Sequence, residues 1–342
     1  MKAVFGEAQN RHAPARFLRY GNVVEYPESP ERVQRLIDGV TRAGLDLLPP
    51  RSFDRVHLAR VHTERYLDFL ENGFAQWREL PGAHHEMMPS MRPVEAPAEY
   101  PRHILGRAGW HIMDFAGSVT ADTWKSAQAS AFSALTAADL VAGGEAAAYA
   151  LCRPPGHHAY AERASGFCYL NNTAIAAQYL RRSHGRVAIL DIDVHHGNGT
   201  QAIFYGRDDV LTISIHADPQ QYYPFFYGYA DQTGSGVGAG FNLNLPLPVK
   251  AGDDVWSEAL KRALDRIGDY GPGALVLALG LDAHEADPLA GGRVTTAGFG
   301  KMAQMIAAAD LPTVIVQEGG YLTPFLADNL AAFLIGFRRS SG

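Results

Sequence analysis

Five short apolar runs, each ending in ionisable or glycine-rich residues, constrain this 342-residue chain more than anything else in it. They occupy residues 147–152, 187–190, 210–215, 274–279 and 313–316. Each is continuously apolar rather than alternating, as expected of a strand buried on both faces of a parallel sheet. Segments rich in Ala and Leu lie around them, at 124–141, 172–182, 256–267 and 298–309, and read as helices. The alternation predicts an α/β fold: a single doubly wound domain over residues 1–342, with a mostly parallel central sheet flanked by helices. Residues 72–122 break the pattern with Pro81, Pro89, Pro93, Pro97 and Pro101 and read as a loop and helical insertion. Excursions of that length are functional, interfacial or disordered. The glycines of 234–240 form a second surface loop, because no phosphate-binding strand–loop–helix context surrounds them.

In open α/β sheets ligands bind beyond the carboxyl ends of the strands. Here those ends carry Arg153-Pro-Pro-Gly-His157-His158, Asp191-Ile-Asp193-Val-His195-His196-Gly-Asn198, Ser214-Ile215-His216, Gly280-Leu-Asp282 and Glu318-Gly-Gly-Tyr321. One such coincidence would be noise, but five make a site. Asp193 and His195 are two residues apart, so period-two geometry sends both side chains the same way. Asp282 can supply a third ligand from another strand. Two carboxylates and one imidazole leave a coordination position open, as a catalytic zinc site requires. Zinc is the first choice; iron(II) or cobalt(II) would accept the same donors. No further carboxylates accompany these ligands, which argues against a two-metal centre.

His157 and His158 follow a rigid Pro-Pro-Gly turn and fit the general base and general acid of a hydrolase. Asp191 and Asn198 flank the ligand segment and can each hold one ring nitrogen, the charged partner raising its histidine's pKa more. Tyr321, after two glycines, can donate its hydroxyl to a tetrahedral oxyanion.

Composition narrows the partners. A net charge of −6, with 19% charged residues, gives no basic footprint for nucleic acid. No apolar stretch is long enough for a membrane span and no apolar signal core opens the chain, so a cytoplasmic protein is expected. Cys152 and Cys168 form no disulfide or metal pattern.

The motifs RPPGHHA (153–159), GFCYLNN (166–172), DIDVHHGNGT (191–200), GLDAHEADPL (280–289) and EGGY (318–321) resemble, in order, those of the histone deacetylase superfamily. The likeness extends from Glu28-Ser-Pro-Glu-Arg32 nearly to the end, and among members it most resembles bacterial acetylpolyamine amidohydrolases. The resemblance implies an arginase/deacetylase-like fold and zinc on Asp193, His195 and Asp282. It implies His158 with Asn198 as the principal base and acid, His157 with Asp191 in an orienting and electrostatic role, and Tyr321 on the oxyanion. It further implies a narrow tunnel lined by Gly166, Phe167 and Tyr223. A structural K+ or Na+ is implied on Ser214 and the backbone of Asp191, Asp193, His195 and Ile215. The insertion would form a homodimer interface. Asn198 stands where some members carry Asp, which should tune His158.

The implied activity is hydrolysis of the amide of an acetylated amine, an N-acetylpolyamine or acetylated diamine, releasing acetate. Two departures bear on the substrate. Residues 105–116 hold only Asp114 where the best-known polyamine enzyme supplies carboxylates, and Leu289 stands where the polyamine-selective eukaryotic member has an acid. Glu95, Glu99, Asp114 or cation–π contacts could hold a cationic chain instead. An acetyl-lysine peptide deacetylase shares all this chemistry and remains an alternative. An inactive binder of acetylated amines would have lost a ligand or an acid/base residue, and none is lost.

Overall fold

The computed structural model describes residues 1–93 and 97–339. Its strands, in chain order, are β1 (Lys2–Val4), β2 (Arg16–Arg19), β3 (Asn22–Glu25), β4 (Leu47–Leu48), β5 (Ala147–Ala150), β6 (Val187–Asp191), β7 (Val210–Ala217), β8 (Asn242–Leu247), β9 (Ala251–Gly252), β10 (Ala274–Leu279), β11 (Gly292–Arg293) and β12 (Thr313–Gln317). The central sheet runs β4-β1-β5-β12-β10-β6-β7-β8. Every neighbouring pair in it is parallel.

The five runs expected from sequence are the five contiguous strands at its centre. Their side chains alternate between two cores: Ala147, Tyr149 and Leu151 face one, Ala148, Ala150 and Cys152 the other. The first core is covered by helices Glu31–Arg42, Asp253–Tyr270, Thr296–Ala307 and Leu326–Arg339, which bury Leu36, Leu260, Phe299 and Phe333. The second is covered by Glu64–Arg78, Thr123–Ala142 and Asn172–Leu180, burying Phe69, Leu135 and Ile175. Burial on both faces is why these strands need apolar residues at every position. The expected helices lie where the pattern placed them, with ends shifted by local chemistry. The helix at 172 begins where the Asn171 side chain accepts the Ala174 N–H at 2.9 Å, a standard N-cap. The one at 253–270 ends on Gly271, whose φ of 62° only glycine adopts cheaply.

The excursion at 72–122 begins inside helix Glu64–Arg78, passes through irregular chain and includes helix Ile104–His111. Its described residues are tied down at several points. Met87 is fully buried and exchanges backbone hydrogen bonds with Val119. Arg107 reaches Asp68 at 2.8 Å, and the Tyr100 hydroxyl meets His111 Nε2 at 2.9 Å. The antiparallel β2–β3 hairpin stands apart from the sheet, over its carboxyl edge. No helix among the described residues is long and apolar enough to cross a membrane.

Candidate active site

β6 and β10 are neighbours, so the segments that follow them emerge side by side. Asp193 and His195 come from one and Asp282 from the other, and their ligand atoms all lie within 4.8 Å of one another. His195 Nδ1 is 3.0 Å from both Asp193 Oδ1 and Asp282 Oδ2. Both carboxylates are wholly buried. Burial, and then the charge on Asp193, push the Asp282 carboxyl upward. Against burial, hydrogen bonds and charge from the same two carboxylates raise the His195 imidazole to about 9. Two buried carboxylates and an imidazole converging this closely can offer their lone pairs to one divalent cation, so the donor set fits a metal. Gly319 closes one side, its N–H donating to Asp193 Oδ2 at 2.8 Å. A Cβ there would stand 2.2 Å from an Asp282 oxygen and 2.5 Å from one of Asp193, so only glycine allows the approach. A second group, His157, Cys168 and Glu318, is comparably close but is engaged in internal hydrogen bonds, and burial pushes its thiol far up.

The two histidines after β5 are held in different ways. His157 Nδ1–H donates to Asp191 Oδ2 at 2.9 Å, which turns Nε2 toward Asp193, 3.9 Å away. Burial opposes its charge, but Asp191 and Asp193 outweigh burial and raise it to about 10. His158 Nδ1–H donates to Asn198 Oδ1 at 2.6 Å, leaving Nε2 free to take a proton. Burial, then the positive charge on its imidazole neighbours, holds His158 well below the usual range. Asn198 is itself fixed by donating to the Tyr160 hydroxyl at 3.0 Å. A carboxylate partner makes one imidazole a standing cation, while an amide partner is too weak to offset burial and charged neighbours, and the other stays neutral.

The backbone behind this pair rests on Glu318, a residue the sequence reading passed over except as part of a motif. Its Oε2 accepts the N–H groups of Gly156 at 2.6 Å and His157 at 3.0 Å, and Oε1 accepts the Thr173 hydroxyl at 2.7 Å. Arg32 and Asp287 were passed over too. Arg32 donates to the carbonyls of Glu318 and Gly320, at 2.9 and 2.6 Å, and lies over the Tyr321 ring. Asp287 Oδ2 accepts the Tyr321 N–H at 2.9 Å. Burial raises the Tyr321 phenol well above its ordinary value, so its hydroxyl stays a donor.

Above these groups opens a cavity of about 330 Å³, with His158, His195 and Tyr321 on its lining. Gly166, Phe167, Tyr223 and Leu289 line it as well, and so do Phe17, Arg19 and Tyr20 of the hairpin. A Cβ on Gly166 would stand 2.4 Å from the His158 ring. Phe167 follows in a left-handed conformation (φ 70°), held by ring contacts with Tyr26, Phe17 and Tyr321. Asp114 has become a strut. It accepts from the Tyr223 hydroxyl at 2.6 Å, the Ser165 hydroxyl at 2.9 Å, Gly166 N–H at 3.0 Å and Ala116 N–H at 3.0 Å. Glu99 is exposed and off the lining, and Glu95 lies outside the described residues. Asp191 and Ser214, cross-strand partners on β6 and β7, border a separate cavity of about 10 Å³.

A buried metal-type triad beside a paired-histidine motif, on a parallel sheet of this order, defines a hydrolytic deacetylase. Residues 26–336 match the Histone deacetylase domain, and the chain belongs to that family. It is 44% identical to the acetylpolyamine amidohydrolase of Burkholderia pseudomallei over 98% of both chains. Against acetylpolyamine amidohydrolase 1 of Pseudomonas aeruginosa it is 40% identical, over 98% of this chain and 99% of the relative. The crystal structure of the acetylpolyamine aminohydrolase from Burkholderia pseudomallei superposes with a TM-score of 0.96 over 99% of each chain.

Proposed function

We propose that this protein hydrolyses the amide of small linear acetylated amines, acetylated diamines and polyamines among them, releasing acetate. The observation that carries the reading is the meeting of the Asp193–His195–Asp282 triad, the two differently held histidines and Tyr321 at the floor of one cavity. The names of the relatives supply the substrate class. Asp193, His195 and Asp282 would hold a single divalent cation, zinc in the first instance. Its contribution when bound is Lewis acidity toward a carbonyl oxygen and toward water.

This chain's own residues do the rest. His158, neutral with Nε2 free, takes a proton from the attacking water and returns it to the departing nitrogen. His157, kept cationic by Asp191, offers fixed positive charge and a hydrogen bond beside the reacting carbon. Tyr321 donates its hydroxyl to the developing oxyanion. Phe167 and Tyr223 wall the approach and keep water from the methylene chain. A monovalent ion on Ser214 and the backbone of Asp191, Asp193, His195 and Ile215, a homodimer built through residues 72–122 and a cytoplasmic setting belong to the same proposal.

The test is acetate release from N-acetylcadaverine by protein whose metal content has been measured. Activity should disappear on treatment with a chelator and return with one equivalent of zinc, iron(II) or cobalt(II). Full turnover by protein with no measurable metal would refute the reading.

A further inference from the structure

Resting on that reading, we infer that Arg19 tunes specificity at the cavity mouth, holding the rate with substrates that carry a second ammonium below what the same site would give without it. Apart from imidazoles, two charged side chains line the cavity among the described residues, Arg19 and Asp114. Their situations differ. The Asp114 carboxylate is consumed by the wall itself, accepting from Tyr223, Ser165, Gly166 and Ala116. No lone pair remains well placed for a ligand, though its negative charge still acts through space.

Arg19 sits near the tip of the β2–β3 hairpin, half-buried. Its guanidinium lies over the Tyr20 ring, 5.2 Å from the centroid, and makes one long hydrogen bond of 3.4 Å to the Pro288 carbonyl. No carboxylate among the described residues lies within ion-pair distance of it. An ammonium at the far end of a diamine would therefore meet a cation whose charge no partner cancels. A carboxylate or methyl group at the same place would not. The aromatic walls pull an ammonium the other way through cation–π attraction. That pull is common to the native protein and to Arg19 variants, so it drops out of a comparison between them.

Three substrates with the same five-methylene chain separate the effects: N-acetylhexylamine, N-acetylcadaverine and 6-acetamidohexanoate, with neutral, cationic and anionic ends. For each, kcat/KM is measured for the native protein, Arg19→Gln and Arg19→Glu. The neutral substrate serves as reference, so a variant that folds less well lowers all three alike and leaves the ratios intact. Relative to it, the cationic substrate should gain about threefold to tenfold in Arg19→Glu and the anionic one should lose as much, with Arg19→Gln between them. The change should lie in KM and shrink as salt rises from about 20 mM to 500 mM. Ratios that stay constant across the three proteins while acetate is released would overturn the role of Arg19 and leave the deacetylase reading standing. Absence of acetate from every substrate would instead bring down the reading of the site, and the charge selection with it.

Discussion

The floor of the cavity and its mouth are built on opposite principles. The polar groups of the floor come from segments leaving the central strands and are buried, and its carboxylates are held by backbone N–H groups. Asp193 receives Gly319 N–H, Asp282 receives Val194 N–H, and Glu318 holds Gly156 and His157. The mouth comes from the hairpin, from residues 114–116 and from 221–225, away from the sheet. It exposes Tyr20 at 86% and Phe226, next to Phe225 on the rim, at 75%. The difference teaches where each kind of change is tolerated. Reaction chemistry demands sub-ångström placement and sits on strands that cannot move independently, while choice of substrate sits on segments free to vary.

Substitutions at the floor should therefore slow all substrates alike, and substitutions at the mouth should reorder them. Replacing Tyr321 by Phe removes one oxyanion donor and should lower kcat by about 10²–10³ for neutral, cationic and anionic substrates equally. A loss that depended on the charge of the substrate's far end would break the division. Glu318→Gln sharpens it, because Gln keeps one acceptor oxygen and must place its NH2 where at least one of three donors already points. A loss of about 10- to 100-fold in kcat with KM little changed is expected, at normal metal content. Unaltered kcat would show that the carboxylate does not position the histidine pair.

The smallest effect concerns folding. His62 Nε2 accepts the Asn171 N–H at 2.9 Å, and its Nδ1–H meets the Tyr160 carbonyl at 3.1 Å. Burial lowers its pKa from 6.5 to about 4. The unfolded chain thus binds an extra proton between those values. Stability from His62 is full above about pH 6.5 and is lost as pH falls toward 4, by up to about 1.4 kcal/mol per pH unit. Urea unfolding across that window should give a steeper slope for the native protein than for His62→Gln. Parallel slopes would place the acid sensitivity elsewhere.

The same division decides what could be read from the sequence. β5, β6, β7, β10 and β12 announce themselves because burial on both faces removes polar residues from them. The edges do not. β1 spans Lys2–Val4 and β4 only Leu47–Leu48, too short to show any period. β8 buries Asn242 and Asn244, whose amides donate to Gln201, so its alternation is masked by polar residues turned inward. Within the site, Asp193 and His195 and the adjacent His157 and His158 stand in tight spacings, and Asp282 ends another apolar run, so they are visible as a group. Arg32, Asp287 and the role of Glu318 are not. Each acts on backbone N–H or C=O groups distant in sequence, Arg32 across 288 residues to Gly320, and no spacing rule records such a contact. The mouth was least legible, because the hairpin carries Leu18 and Tyr20 outward, against the usual preference of apolar residues for the core.

The Asp114 strut makes the proline-rich excursion a structural member of the tunnel wall rather than an ornament on it. Trimming that segment to admit bulkier acyl chains would leave the Ser165 hydroxyl, the Gly166 amide and the Tyr223 phenol without their common acceptor. Anyone enlarging this enzyme's doorway should keep the carboxylate as its lintel and cut around it.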